Sequence, residues 1–166
     1  MNNLGFLTTK HKMIKFTDFD IVFGEIPDEV TLAINLSLCP NLCEGCHSPQ
    51  LREDIGYLLD DENLAEILLR YAADATCVCF MGGDNDPQTL ALIAHKTKEL
   101  YPGMKTGWYS GKCELPHDFD ASAFDYVKVG PYIPEYGPLN KPTTNQRLYH
   151  IVNGEMVDIT SKFWKK

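Results

Sequence analysis

The chain has 166 residues, of which 44% are hydrophobic, and these numbers suit one domain with a packed core and exclude a disordered or collagen-like chain. Its 15 basic and 23 acidic residues give a formal charge of −8, which disfavours binding to nucleic-acid backbones and to acidic membrane surfaces. The sequence shows neither an apolar run long enough for a membrane helix nor a charged-then-apolar signal segment, so we expect a cytosolic (cytoplasmic) protein whose partners are small molecules or other proteins.

The first predicted elements are two strands, residues 20–23 and 31–38, whose side chains are mostly apolar or β-branched. The second strand leads directly into Cys39-Pro-Asn-Leu-Cys43-Glu-Gly-Cys46, a Cys-x3-Cys-x2-Cys run. Three thiols therefore stand in one loop rich in Pro, Asn and Gly, where core packing gives no reason for cysteines to cluster. In a cytosolic chain such a cluster predicts a metal site rather than disulfides.

Two kinds of metal are compatible with this run. A structural zinc ion needs four ligands, and His47 would complete a Cys3His set, but the adjacent residues Cys46 and His47 can rarely turn onto one tetrahedral ion. An iron–sulfur cubane is normally held by four thiolates, so three leave one iron without a protein ligand, where a substrate or cofactor can bind and react. The run therefore predicts an open iron–sulfur cluster, and a zinc-binding interaction module is the alternative from a different class.

A helix is predicted next, because acidic residues at positions 60–62 precede an apolar stripe with i, i+3, i+4, i+7 spacing. The stripe consists of Leu64, Ile67, Leu68 and Tyr71. Residues 76–81 follow as a buried strand, in which Cys77 and Cys79 are expected to be core residues. The turn Gly82-Gly83-Asp84-Asn85 leads into a second helix, with Asp86 as the expected N-cap and Pro87 as its first residue.

The remaining predicted elements include strands at residues 104–109 and 125–129, with Ser110-Gly111 and Gly130-Pro131 as their exit turns. Cys113 lies in the loop between these strands, and its role stays open. Residues 131–142 contain four prolines, which predicts a long loop without regular structure. Residues 147–152 and 155–159 form a predicted hairpin, because Asn153-Gly154 favours a type I′ turn.

The alternation of strands and helices predicts an α/β fold with parallel pairing and right-handed crossovers. In such folds the reactive groups gather at the carboxyl ends of the strands. Four predicted strand ends carry candidate groups, namely the cysteine loop, the Gly82-Gly83-Asp84 turn, the Ser110-Gly111 turn and Gly130. We therefore expect all four to surround one mouth of the molecule.

The Cys39-x3-Cys43-x2-Cys46 run followed by Gly82-Gly83-Asp84 resembles the radical S-adenosylmethionine (SAM) superfamily. The short chain, the Trp-Tyr-Ser-Gly turn at 108–111 and the Asn145-Gln146-Arg147 segment resemble, within it, the activating proteins of anaerobic ribonucleoside-triphosphate reductases. The likeness covers about residues 16–151 and implies one radical SAM domain over residues 1–166. Its implied fold is an incomplete, open parallel βα barrel with a C-terminal hairpin.

The resemblance implies an oxidoreductase in which Cys39, Cys43 and Cys46 hold a [4Fe–4S] cluster. The amino and carboxylate groups of SAM would chelate the fourth iron. One electron, from a flavodoxin-type donor, would cleave SAM into methionine and a 5′-deoxyadenosyl radical. That radical would take a hydrogen atom from a glycine Cα of the large anaerobic ribonucleoside-triphosphate reductase and leave a stored glycyl radical on this partner.

The resemblance also implies SAM contacts for several residues. Gly82 and Gly83 would let the backbone approach the methionyl part, and Asp84 would accept from its ammonium, with Asp86 as a second candidate because two extra polar residues precede Pro87. Lys128 is the only charged side chain of its strand, so we expect it to reach solvent or to pair with a carboxylate, and contact with the SAM carboxylate is a third interpretation. The remaining implied contacts are Gly45, Cys46 and His47 beside the adenine and Ser110 as a donor.

Other radical SAM enzymes remain alternatives to this subfamily. The chain lacks the Asp-Gly that many relatives carry where Val129-Gly130 stands, and it has Thr143-Thr144 in place of Gly-Ser. A different glycyl-radical activase and a small enzyme of deazapurine synthesis are therefore both open. A chain much shorter than the roughly 250 residues of a closed βα barrel suits an open site that receives a loop of a partner protein.

Overall fold

In the computed structural model, which describes residues 13–164, an eight-stranded mixed sheet lies between two apolar layers. The N-terminal residues, for which the sequence predicts no signal segment, lie outside this range. The strands are β1 (Lys15–Val22), β2 (Thr31–Leu36), β3 (Tyr57–Leu58), β4 (Cys77–Met81), β5 (Lys105–Tyr109), β6 (Tyr126–Val129), β7 (Arg147–Val152) and β8 (Glu155–Asp158). The helices are α1 (Asp61–Tyr71) and α2 (Pro87–Leu100), and the strand order is β3-β1-β2-β4-β5-β6-β7-β8.

Four neighbouring strands, β2, β4, β5 and β6, run parallel, which confirms the predicted α/β class. Their register aligns Ile34 with Phe80 and Trp108, and Trp108 with Val127. Because parallel strands end at the same edge, the loops that follow all four emerge together. This edge of the sheet, the carboxyl edge, carries the candidate site.

The outer strands are antiparallel, so the sheet is mixed and the parallel pairing does not extend across it. Strand β1 begins five residues before the predicted strand at 20–23 and pairs antiparallel with β2. The segment of eight residues between them, 23–30, is too short for a parallel crossover, which needs a dozen residues or more. The two-residue strand β3 then pairs antiparallel with β1.

Both helices begin where the sequence predicts. The Asp60 carboxylate accepts from the Asn63 backbone N–H at 2.8 Å, and the Asp86 carboxylate accepts from the Thr89 N–H at 3.2 Å. These N-cap bonds satisfy backbone donors that have no partner within the helix. The buried residues Leu64, Ile67 and Leu68 of α1, with Leu90, Ile93 and Ala94 of α2, pack on one face of the sheet. Neither helix in this part of the chain has the length and apolar character that a membrane span requires.

The crossover from β5 to β6 contains no α-helix, unlike the two crossovers before it. A single 3-10 turn, Ala121–Ala123, precedes β6. The sheet is covered here by aromatic rings instead, because Trp108 stacks with Phe119 and Phe124 at centroid distances of 6.0 and 5.7 Å. The aromatic pairs therefore replace the apolar stripe of a helix.

The opposite face of the sheet has its own core cluster, formed by Ile26, Cys77, Cys79, Tyr126 and Leu148. Cys77 and Cys79 are fully buried, which confirms that they are core residues. At the amino edge of the sheet, the buried Glu29 carboxylate accepts hydrogen bonds from three residues that lead into or begin β4, β5 and β6: Thr76, Lys105 and Tyr126. This carboxylate links the starts of three parallel strands.

The C-terminal hairpin is confirmed, with φ angles of +51° at Asn153 and +78° at Gly154 as a type I′ turn requires. The 131–142 loop has no regular structure, as predicted, but three hydrogen bonds to its carbonyl oxygens anchor it. The donors are Asn145 Nδ2 to Pro131 at 2.9 Å, Thr143 Oγ1 to Tyr136 at 2.6 Å and Trp164 Nε1 to Leu139 at 3.2 Å.

Candidate metal and cofactor site

A cavity of about 300 Å³ opens at the carboxyl edge of the sheet. Residues from all four strand-end loops line this cavity. The structure therefore brings these loops together at one mouth, as the parallel topology predicts. The lining residues that the sequence predicts as site residues are Cys39, Cys43, Cys46, His47, Gly82, Asp84 and Lys128. Gly45, Gly83, Ser110 and Asp86 are not in contact with the cavity.

The cysteine loop leaves β2 through Leu38, whose φ of +60° lies in the left-handed region. Two backbone hydrogen bonds close the base of the loop, from Leu38 N to Glu53 O at 3.2 Å and from Cys39 N to Leu51 O at 2.9 Å. Cys39, Cys43 and Cys46 are partly exposed free thiols on this closed loop. Cys113 is exposed and does not line the cavity.

The donor set can be tested against the two metals that the sequence leaves open. Among residues 13–164, no three side chains of His, Cys, Asp or Glu are arranged around a single point that could hold one metal ion. A tetrahedral zinc ion needs such convergence. In a cubane each thiolate binds a different iron, so the sulfurs stand apart around the cluster. The three thiols line one cavity and are the donor set that either metal would use.

The Gly82-Gly83 turn is required by backbone conformation and by packing. The φ angles are +117° and +96°, which favour glycine. A Cβ atom on Gly83 would lie 2.6 Å from Leu90 Cδ2, and one on Gly82 would lie 3.3 Å from the Leu36 carbonyl oxygen. The Trp108 indole N–H donates to the Gly82 carbonyl at 2.8 Å. The Trp-Tyr-Ser-Gly segment therefore positions the double-glycine turn.

Asp84 accepts three hydrogen bonds from two other strand-end loops. Its Oδ1 accepts from Ser110 Oγ at 2.5 Å, and its Oδ2 accepts from the Gly111 N–H at 2.8 Å and from Asn41 Nδ2 at 2.7 Å. Ser110 is buried, so its hydroxyl donates to Asp84 and not into the cavity. The carboxylate keeps room for about one more donor, because two carboxylate oxygens offer about four acceptor positions.

Asp86 has a different position from Asp84. Its carboxylate caps α2, where it accepts from the Thr89 N–H and, at 2.7 Å, from the Thr89 hydroxyl. Of the two acidic candidates for the SAM ammonium, Asp84 is therefore the one that lines the cavity.

Lys128 is 7% exposed and lines the cavity. Its Nζ donates to the Gly130 carbonyl at 3.0 Å and lies 5.5 Å from the centre of the Tyr109 ring, and no carboxylate of residues 13–164 lies within ion-pair distance. Burial lowers the pKa of Lys128 to about 8, although the charges of Asp84 and Cys43 act in the opposite direction. The expectation that Lys128 reaches solvent or pairs with a carboxylate is wrong.

Three further residues belong to the site although they are not among the predicted site residues: Asn41, Arg52 and Gln146. Arg52 Nη2 donates to the Cys43 carbonyl at 3.0 Å. Gln146 is 7% exposed and lines the cavity. Two of these residues could have been found from the sequence, because Asn41 lies between two of the cysteines and Gln146 lies in the Asn-Gln-Arg segment. No pattern in the sequence predicts the role of Arg52.

The other side of the mouth is formed by the start of the 131–142 loop. The exposed His47 ring lies 5.4 Å from the Tyr132 ring, at an interplanar angle of 49°. A Cβ atom on Gly45 would lie 3.5 Å from both Tyr132 and Pro134. The cysteine loop and this loop are therefore in contact beside the cavity.

Comparison of the chain with models of protein families, with curated proteins and with solved structures finds no match. A functional conclusion therefore depends on the residues and geometry of the site.

Proposed function

We propose that this protein is a radical SAM activase that generates a glycyl radical on a large anaerobic ribonucleoside-triphosphate reductase. The observation that carries the proposal is that three free thiols of a Cys-x3-Cys-x2-Cys loop line the same cavity as the Gly82–Asp84 turn and a buried Lys128, which has no ion-pair partner among residues 13–164. On this view the mixed sheet is an open βα barrel of the radical SAM type, and its parallel strands β2, β4, β5 and β6 form the part that holds the cofactors.

Cys39, Cys43 and Cys46 would hold a [4Fe–4S] cluster. When bound, the cluster supplies an electron to SAM and an iron that lacks a protein ligand. The chain contributes the position of the thiols: the backbone hydrogen bonds at Leu38 and Cys39 close the loop, and Arg52 donates a hydrogen bond to the Cys43 carbonyl. The Ser48 N–H donates to the Cys46 sulfur at 3.4 Å and holds that thiol in place.

The polar groups of the cavity match the two charged ends of the methionyl part of SAM. The Lys128 ammonium uses one of its three donors on Gly130, so two remain for a carboxylate. Asp84 retains an acceptor position for an ammonium. His47 and Tyr132 line the cavity and offer rings against which an adenine can stack. These residues bind and orient SAM and take no part in breaking its bonds.

The open mouth supports a protein substrate. Leu42, at the tip of the cysteine loop, is 82% exposed, and Tyr136 of the 131–142 loop is 50% exposed. Leu42 stands between two candidate cluster ligands, where it is available for contact with a partner protein. We propose a glycine-bearing loop of the reductase as the substrate and a flavodoxin-type protein as the electron donor, with the activity located in the cytosol, where thiols stay reduced.

The proposal is tested by anaerobic reconstitution with iron and sulfide, followed by reduction with SAM in the presence of the reductase. We expect a brown protein with about four irons per chain, cleavage of SAM and the EPR doublet of a glycyl radical. Cys39→Ser should lose the cluster, whereas Cys113→Ser, which changes a cysteine outside the cavity, should keep it.

Other outcomes would contradict the proposal in distinguishable ways. A colourless protein with one zinc per chain would identify a zinc-binding module. Cleavage of SAM without a glycyl doublet would instead indicate a different glycyl-radical activase or a small radical SAM enzyme, such as one of deazapurine synthesis.

A further inference from the structure

Asn41 is the one residue of the cysteine loop whose side chain contacts both a candidate cluster ligand and the turn after β4, within the part of the chain that the structure describes. Its Nδ2 lies 2.7 Å from Asp84 Oδ2 and 3.6 Å from Cys39 Sγ. A side-chain amide carries two N–H groups, so both hydrogen bonds can exist at once. Asn41 thereby joins two segments that are 43 residues apart in sequence.

The space for this contact is provided by Gly111. A Cβ atom at position 111 would lie 2.6 Å from Asn41 Nδ2, so any larger residue would displace the amide. The Gly111 N–H also donates to the same Asp84 oxygen that accepts from Asn41. With Ser110 on the other oxygen, one carboxylate joins the loops that follow β2, β4 and β5.

We propose that Asn41 is a positioning residue that holds the cysteine loop on Asp84 and donates its second N–H to the sulfur of Cys39. The second part rests on the proposed cluster. A hydrogen bond to a ligand sulfur draws electron density from it and raises the reduction potential of an iron–sulfur centre. Asn41 therefore sets both the place of the cluster and the ease with which it accepts an electron.

The first test uses the protein without metal and measures urea unfolding of Asn41→Leu, Asp84→Ala and the double variant. Leu has nearly the shape of Asn and no donor. We expect the two single changes to be coupled by at least about threefold in the unfolding equilibrium constant, because residues that share a hydrogen bond are not additive. Additive effects would overturn the positioning role. Asn35→Leu with Asp18→Ala is the matched control for the method, since Asn35 Nδ2 donates to Asp18 at 3.0 Å and this pair includes no thiol.

The second test follows the reduction potential of the reconstituted protein by EPR. Asn41→Leu should shift the potential to a more negative value, and Asn35→Leu should not. Gly111→Ala keeps the Asn41 side chain but displaces its amide, so it should shift the reduction potential in the same direction as Asn41→Leu. It replaces Asn41→Leu in this test if that variant does not fold. An unchanged potential in both variants would overturn the contact with sulfur. Failure of the parent protein to assemble a cluster would instead reject the proposed function, and the unfolding test would still decide the positioning role.

Discussion

Lys128 is buried, whereas a lysine side chain favours contact with water. A lysine ammonium is costly to bury without a carboxylate partner, and Lys128 has only the Gly130 carbonyl and the face of Tyr109. Stability alone would favour an apolar residue at this point of β6. A site that binds an anionic group gains from such a charge, because the charge is already desolvated and held in place.

The cost of this charge gives a prediction on stability. The fall of the Lys128 pKa from 10.5 to about 8 corresponds to about 3 kcal/mol, so Lys128→Met should raise the free energy of unfolding of the metal-free protein by up to that amount at pH 7. Between pH 8 and 10.5 the unfolded parent protein binds more protons than the folded one, so its free energy of unfolding increases as the pH rises. The difference in free energy of unfolding between Lys128→Met and the parent should therefore narrow over this range. Urea unfolding across this pH range measures it, with Lys96→Met on α2 as the control. A Lys128→Met variant that is less stable than the parent would contradict the argument.

The same substitution should have the opposite effect on the ligand. If the Lys128 ammonium binds the SAM carboxylate, Lys128→Met removes a charge-assisted hydrogen bond and should weaken SAM binding about ten- to hundredfold. Equilibrium binding of SAM to the reconstituted protein measures this change. Equal affinity in the two proteins would show that Lys128 has another role.

At the scale of elements, the turn between β4 and α2 combines a helix cap with a close-packed double glycine. Asp86 caps the helix and Gly83 lies against Leu90 of its first turn, so the turn and the helix act as one packed unit. Two substitutions separate the contributions of backbone, packing and cap.

Gly83→Ala should lower the free energy of unfolding by more than the backbone conformation of Gly83 alone implies. The φ angles of Gly83 and Gly103 are +96° and +92°, but a Cβ atom would clash with Leu90 at the first position and meet nothing within 4 Å at the second. Both Gly→Ala changes share the cost of the backbone conformation, and overpacking should add about 1–3 kcal/mol at Gly83 only. Chemical unfolding of both variants measures the difference, and equal losses would show that Leu90 moves aside at no cost.

Asp86 gives a prediction that distinguishes a cap from a ligand. Asp86→Ala should lower the free energy of unfolding by about 1 kcal/mol, whereas Asp86→Ser keeps a cap and should remain near the parent. Because Asp86 does not line the cavity, Asp86→Ser should leave SAM binding unchanged. A loss of SAM affinity in a variant of unchanged stability would assign the ammonium contact to Asp86 instead of Asp84.

At the scale of the whole molecule, the two edges of the parallel strands are held by two different carboxylates. Glu29 joins strand starts at the amino edge, and Asp84 joins strand-end loops at the carboxyl edge. The amino edge contains no candidate ligand among the residues the structure describes. We therefore expect changes at Glu29 to affect stability without affecting the site.

This expectation can be tested by acid unfolding. Burial raises the pKa of Glu29, but hydrogen bonds from Lys105, Thr76 and Tyr126 outweigh it and leave the pKa below 4.5. The stabilisation is therefore complete above pH 4.5 and is lost as pH falls through the lowered pKa. Glu29→Gln should cost about 1–3 kcal/mol at pH 7, and the loss should shrink in acid. Asp28→Asn, at an exposed ion pair with Lys162, should have little effect, and an equal loss in both variants would contradict the role of Glu29.

Local signals in the sequence predict much of this architecture. The Asp60 and Asp86 caps, the apolar stripes and the Asn153-Gly154 turn are encoded within a few residues, so both helices and the hairpin agree with the structure. The rule that parallel strands end at one edge places the cysteine loop beside the Gly82–Asp84 turn. Strand β3 was not predicted, because its two residues carry no periodic signal, and the antiparallel pairing of β1 with β2 was not predicted either.

The parts of the site that the sequence does not predict all depend on long-range contacts. Asn41 and Asp84 meet only because β2 and β4 are neighbours. The burial of Lys128 depends on loops from three other strands that close around the end of β6. Single-residue patterns contain no information on either contact, so they do not predict that Lys128 is buried without a carboxylate partner.

The closed base of the cysteine loop bears on whether the chain folds before or after it binds a metal. Small zinc domains are unfolded without their metal, because the metal supplies the energy of folding. Here both faces of the sheet have complete cores without the three thiols, and two backbone hydrogen bonds already close the loop. We therefore expect the polypeptide to fold without a metal. If the loop holds the proposed cluster, loss of iron to oxygen would leave a folded protein in which the cluster can be rebuilt.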